Sequence, residues 1–197
     1  MLVTRRTLSE RMTTHSPTRT GILQGFAAHR GGAAAIEFAL IALPFFFVLF
    51  ASIETAIVAG ANVVLRNAVD HAAREVMTGQ IQTRDVTAAT FRSEMCADVS
   101  FLLSCDRLKI DMRTYPTFNA IPTDVSFKLG DVDDTGFCFD PGAQDTITVV
   151  RAFYAWPWVT GFLQELAEDT NGNATIFAMA AFMNEPFGTA ASTRSTC

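Results

Sequence analysis

The hydrophobic pattern changes character twice along this 197-residue chain. From Phe38 to Leu65 it is almost continuously apolar: Glu54 is the one acidic or basic residue in 28, and between Glu37 and Glu54 the exceptions are Pro44 and Ser52. A helix rising ~1.5 Å per residue would cover ~42 Å over that run, enough to cross a hydrocarbon core of ~30 Å. One membrane-spanning helix is therefore expected. Pro44 removes a backbone donor and should bend it near Leu40, a defect that membrane helices tolerate. Past Leu65 the run becomes amphipathic. Leu65, Ala68, Ala72 and Val76 recur at three or four residues, so the same helix should continue into water, with Gly79 as its stop.

Beyond Gly79 the periods shorten. Residues 80–197 have the size of one small domain. Asp85 to Cys96 reads as a short helix with Val86, Phe91 and Met95 turned inward. Leu108 to Met112 and Val125 to Leu129 alternate apolar and polar, the pattern of half-buried strands, and Thr146 to Trp156 is the strongest strand, with Ile147, Val149 or Val150, Phe153 and Tyr154 for its faces. Trp158 to Glu168 reads as helix and Asn171-Gly172 as a turn. Ala174 to Met183 reads as a returning strand, because Thr175, Ile176, Phe177 and Phe182 favour a sheet over the helix that its alanines would permit. The fold class is α+β: a long N-terminal transmembrane helix whose amphipathic end carries a small domain with an antiparallel sheet and disulfides.

Charge divides the chain at the same place as the hydrophobic pattern. Residues 1–32 hold Arg5, Arg6, Arg11, Arg19 and Arg30 against Glu10, a net of +4, which leaves 10 of the 15 basic and 19 of the 20 acidic residues, a net of −9, for the remainder. A basic flank sets orientation, so the leader should face the cytoplasm and the acidic bulk the periplasm. That balance disfavours nucleic-acid binding by the part beyond the leader.

An ordinary secretory signal is cut after its apolar core, at small residues. Here the small residues Gly31 to Ala35 come before it. A cut after Gly32 would make Ala33 the new N-terminus, with Glu37 fifth, Phe38 sixth and the apolar helix retained. A carboxylate at the bilayer centre costs about 2.5–3.5 kcal/mol on insertion scales, so Glu37 needs a compensating group, which the new amine would supply. Glu54 falls ~25 Å further along the helix. It reads either as an interfacial side chain reaching for water or as an intramembrane contact to a partner helix.

The order Gly32, Glu37, Phe38 before an apolar helix resembles the processing site of type IV prepilins, and more closely that of the Flp/Tad pseudopilins. Arg74-Glu75 with Thr78-Gly79-Gln80-Ile81, then Val149-Val150-Arg151-Ala152-Phe153-Tyr154-Ala155-Trp156-Pro157, Asn171-Gly172 and Asn184-Glu185-Pro186-Phe187 widen the resemblance to TadE-like minor pseudopilins. The resemblance implies a leader of residues 1–32 removed by a prepilin peptidase, a helix over 33–79 and a periplasmic α+β head over 80–197. It also implies a role in assembling a Tad-type pilus used in adhesion or secretion. The partners it implies are that peptidase, other Tad pilins or pseudopilins, the inner-membrane assembly platform and membrane lipid. The protein would sit in a bacterial inner membrane, single-pass, with the option of entering the fibre.

Cys96, Cys105, Cys138 and Cys197 all lie past the span, so export should pair them. Of three connectivities, Cys96 with Cys105 across a short loop is preferred, which leaves Cys138 with Cys197. Their spacing offers no zinc-type ligand pairs, and no metal or other cofactor is expected. Catalytic motifs are missing too: no GxSxG, HExxH or Walker pattern occurs, and His71 is the one histidine beyond the leader. Asp131, Asp133, Asp134 and Gly136 resemble the opening of a calcium loop, yet Gly142 stands where the bidentate Glu belongs. A non-enzymatic protein is expected. Two other readings remain: a signal-anchored periplasmic domain that binds a ligand or protein without a pilus, and a secreted protein cut at Ala59-Gly60-Ala61.

Overall fold

A computed structural model describes residues 31–122, 124–128, 131–158, 173–188 and 195–197. Helix α1 runs Gly31–Met77 as one element of 47 residues with Pro44 inside it. It is the one described helix long and apolar enough to cross a membrane, and none of its most apolar 18-residue window, mean hydropathy 2.4, is buried. Two compact units divide the chain, Met1–Phe47 and Val48–Cys197.

In the first unit the described part is the opening of α1. Its side chains are apolar all round and lie open, Phe38 at 72% and Leu43 at 75% exposure.

The second unit has a core built on one stripe of α1. Ala61, Leu65, Ala68, Val69, Ala72 and Val76 are all buried, and they recur with the spacing that places residues on one helical face. Full burial of a side chain such as Leu65 is worth about 1.5–3 kcal/mol. Met77 ends the helix because Gly79 turns left-handed, at φ 78. A short helix α2 (Gln80–Thr83) follows, then α3 (Ala88–Val99), whose first turn is capped by Thr87 accepting from the Thr90 amide at 3.2 Å. The helix expected from Asp85 thus starts three residues later. Asp85 sits at φ 50, which no right-handed helix admits, and Thr87 supplies the cap. Val86, Phe91 and Met95 are buried as the pattern required.

Facing the stripe is a three-stranded antiparallel sheet of order β1-β4-β5, made of β1 (Leu108–Tyr115), β4 (Ile147–Pro157) and β5 (Asn173–Met183). Register places Leu108 opposite Tyr154 and Tyr154 opposite Ile176, Met112 opposite Val150 and Val150 opposite Ala180. Even-numbered residues therefore share the core face, and Trp156 and Phe182 pack at its margin. A two-stranded ribbon, β2 (Phe127–Lys128) with β3 (Asp131–Val132), is what the Val125–Leu129 alternation becomes, with Leu129 outside the described residues. The expected helix Trp158–Glu168, past Trp158 itself, and the Asn171-Gly172 turn also lie outside them.

Candidate assembly surface and processing site

The residues singled out for processing sit at the start of α1. Gly32 has no heavy atom within 4 Å of where a Cβ would stand, and Ala33, Glu37 and Phe38 are exposed. Two adjacent glycines give this first turn little intrinsic preference for helix. Ala33 and Glu37 are four residues apart in that helix, so they share one face a turn apart. An amine created at Ala33 would lie over the Glu37 carboxylate.

Glu54 occupies a different environment. It is 6% exposed and precedes Ala61 and Leu65 on the same stripe, so it faces the packed side of α1. The neighbouring turns of α1 leave Ile53 and Ile57 open at 47% and 43%. Ala59-Gly60-Ala61 lies inside α1 with Ala61 fully buried, so a cut there would take Glu54 and the first core residue away with the leader.

Both disulfides join the expected partners: Cys96 to Cys105, with Cα atoms 5.6 Å apart, and Cys138 to Cys197, at 5.2 Å. The first ties α3 to the start of β1. The second holds the C-terminal residues against the sheet, where the Thr196 amide donates to the Phe139 carbonyl at 2.8 Å and the Phe139 amide donates to Thr196 Oγ1 at 2.9 Å.

Two buried polar clusters lie apart from the processing site. Asp111, 1% exposed, faces Arg151 across β1 and β4. Its Oδ2 accepts from Arg151 Nη2 at 2.6 Å, and its Oδ1 accepts from Arg113 Nε at 2.8 Å and from the Cys138 amide at 3.0 Å. A buried carboxylate with two guanidinium partners and a backbone donor is fully compensated, and it fixes the segment at Cys138 to the sheet. The second cluster joins the resemblance blocks at 78–81 and 184–187. Asn184 Nδ2 donates to the carbonyls of Pro141 and Ala143 at 2.9 Å, Gln82 Nε2 to Pro141 at 2.8 Å, and the Glu185 amide to the Met77 carbonyl at 2.8 Å. Phe187 lies against Gly79, where a Cβ would stand 2.8 Å from its own Cβ. The end of α1 is thereby clamped to the end of β5. The blocks Thr78 to Ile81 and Asn184 to Phe187 are the sequence signals for this clamp, and nothing in them marks Asn184 for burial.

The acidic turn already holds a cation of its own. Lys109 Nζ lies 2.9 Å from Asp131 Oδ2, 3.7 Å from Asp134 Oδ1 and 2.7 Å from the Val132 carbonyl, so an ammonium stands where a cation would have to sit. Among the described residues no three His, Cys, Asp or Glu side chains are grouped to hold a metal. His71 faces Asp98 at 3.1 Å on the surface, with no nucleophile in hydrogen-bond contact among the described residues. Among the described residues the arrangement offers surfaces, clamps and an exposed helix, and no acid, base and nucleophile stand together.

Comparison with known proteins supports the N-terminal part of this picture. A family model described as TadE-like protein matches residues 32–74, a range that opens at Gly32 and falls wholly within α1. The blocks at 149–157 and 171–187 lie outside it. No curated protein and no solved structure matches the chain.

Proposed function

Because the chain carries a TadE-like segment over residues 32–74, we propose that it is a minor pseudopilin of a Tad-type pilus machine, acting by assembly and not by catalysis. The observation that carries this reading is that the family match opens at Gly32, where the basic leader gives way to the apolar helix. A prepilin peptidase would cut after Gly32 on the cytoplasmic face, the positive-inside rule holding the leader there and sending the acidic domain to the periplasm. Ala33, Glu37 and Phe38 then head a helix that packs beside other pilin helices and against the assembly platform. The open apolar side chains of its first turns supply van der Waals surface to lipid and helices alike, and only neighbouring helices can also shelter Glu37.

The test is the N-terminus of the full chain recovered from membranes, read by mass spectrometry with and without the peptidase. A start at Ala33 that disappears without the peptidase is expected. A start at Met1 would make the protein a plain signal-anchored domain, and a start at Asn62 would make it a secreted one. Replacement of Glu37 by Ala should leave insertion intact and impair processing or incorporation; full piliation by that variant would remove Glu37 from the proposal.

A further inference from the structure

Both tryptophans of the chain, Trp156 and Trp158, stand at one end of the sheet, on either side of Pro157. The strand directions decide which end that is. The Glu185 amide bonds the Met77 carbonyl, and Ala178 lines one groove with Arg66 and Val69, so β5 rises alongside α1 away from the apolar run. β4 is antiparallel to β5 and descends toward that run, with Trp156 opposite Ala174 and Pro157 opposite Asn173. Four strand residues separate Ala174 from Ala178, a distance of ~13 Å, so Trp156 lies on the membrane side of the Arg66 level. It packs against the core cluster that begins at Ala61, as Val58 does, and Trp158 follows at the end of the strand, half-buried.

On α1 the same level belongs to the bilayer boundary. About 20 residues cross a hydrocarbon core of ~30 Å, so a span that opens at Phe38 closes near Ile57. The open side of α1 stays apolar through Ile53, Ile57 and Val63, at 47%, 43% and 57% exposure, and the first exposed charge after Glu37 is Arg66. On the packed side Glu54 is already covered, at 6% exposure. The covered stripe therefore begins before the span ends, and the lower edge of the sheet stands at headgroup depth. Ala155 to Trp158 and Asn173 to Thr175 bring no charge to that edge. We propose that the Trp156-Pro157-Trp158 end of the sheet is an interfacial anchor, docked on the phospholipid leaflet through which α1 leaves the bilayer. Indole rings concentrate at this boundary in membrane proteins, with their apolar body against acyl chains and their N–H toward water and ester carbonyls. A domain held by one helix alone is free to lean in any direction; a second attachment beside α1 fixes its tilt and leaves the opposite side of the helix open. The proposal rests on α1 as a span, and not on cleavage at Gly32 or on a pilus.

The experiment reads tryptophan fluorescence of the full chain in vesicles of phosphatidylglycerol and phosphatidylcholine, the latter brominated either just below the headgroup or near the acyl-chain end. Since the chain has two tryptophans, W156F and W158F leave one emitter each, and the parent chain gives the combined signal should either variant fail to fold. L43W in the background of both substitutions marks the span itself. Shallow bromine is expected to quench each single emitter at least twofold and deep bromine less, while both quench L43W. Quenching of one emitter alone narrows the anchor to that residue. If L43W is quenched and neither Trp156 nor Trp158 is, the domain stands clear of lipid and the anchor is overturned. Stronger quenching by deep bromine overturns it as well, because the tip would then lie in hydrocarbon and not at the boundary. If L43W stays bright too, α1 does not span, and the proposal falls with that reading.

Discussion

The two ends of α1 use the same residue types for opposite ends. In its first turns Ile36, Phe38, Leu40, Ile41 and Leu43 point every way round the helix and stay between 64% and 75% exposed. In its last turns Ala61, Leu65, Val69 and Val76 are between 0% and 1% exposed, and Arg66, Asp70, His71 and Arg74 take the opposite side. Hydrophobicity alone does not decide burial; the angular distribution does. A helix apolar on all faces has no preferred side to hide and needs a surrounding medium, lipid or other helices. A helix apolar on one face can be covered by its own sheet. Glu54 marks where the second regime begins, since it already lies on the covered stripe while Ile53 and Ile57 beside it stay open.

Leu65→Ala is the sharpest way to break this contrast at its packed end. It should lower unfolding stability by about 2–5 kcal/mol, because the sheet opposite cannot collapse onto the lost methyls, and thermal unfolding in detergent would register it as a clear fall in Tm. Somewhat smaller is the expected cost of Gly79→Ala. The position holds φ 78, and the added Cβ would press on the Phe187 ring, so about 1–3 kcal/mol should be lost as the clamp between α1 and β5 loosens. Proteolysis at the C-terminal end of β5 should quicken in that variant while the Cys96–Cys105 loop stays resistant. If Gly79→Ala melts like the parent, the clamp does not hold the packed end of α1. A milder loosening should follow Thr87→Ala, which removes the cap of α3 and should cost about 1 kcal/mol, visible as a small drop in the same melting curve.

How much of this could be read from the chain depends on whether the cause is local. Periodicity is local, so the stripe Leu65, Ala68, Ala72 and Val76, the strand at Leu108 and the long strand read over Thr146 to Trp156, observed as Ile147–Pro157, were all legible. Edge order was not. β4 lies centrally because of what pairs on either side of it, and its own residues do not record that. Burial of polar groups was equally hidden: Gln82 is buried by a carbonyl 59 positions away and Asn184 by one 43 away. Lys109 alternated outward as any solvent-facing lysine would, and only the fold brings it to Asp131. For the candidate site, the small residues before the apolar run placed the junction at Gly32, and the family match opens there.

At the exposed end of α1 the contrast predicts near silence. Leu43 is 75% exposed, and exposed substitutions away from special features usually stay within about ±0.5 kcal/mol, so Leu43→Ala should leave detergent unfolding of the isolated chain almost unchanged. Its side chain would matter when something surrounds it. If partner helices pack on the first turns, Leu43→Ala should reduce the amount of the protein recovered with assembled fibres while its Tm and membrane fraction stay the same. A fall in Tm comparable to that of Leu65→Ala would mean that the chain covers its own apolar turns, and the distinction between the two ends of the helix would then collapse.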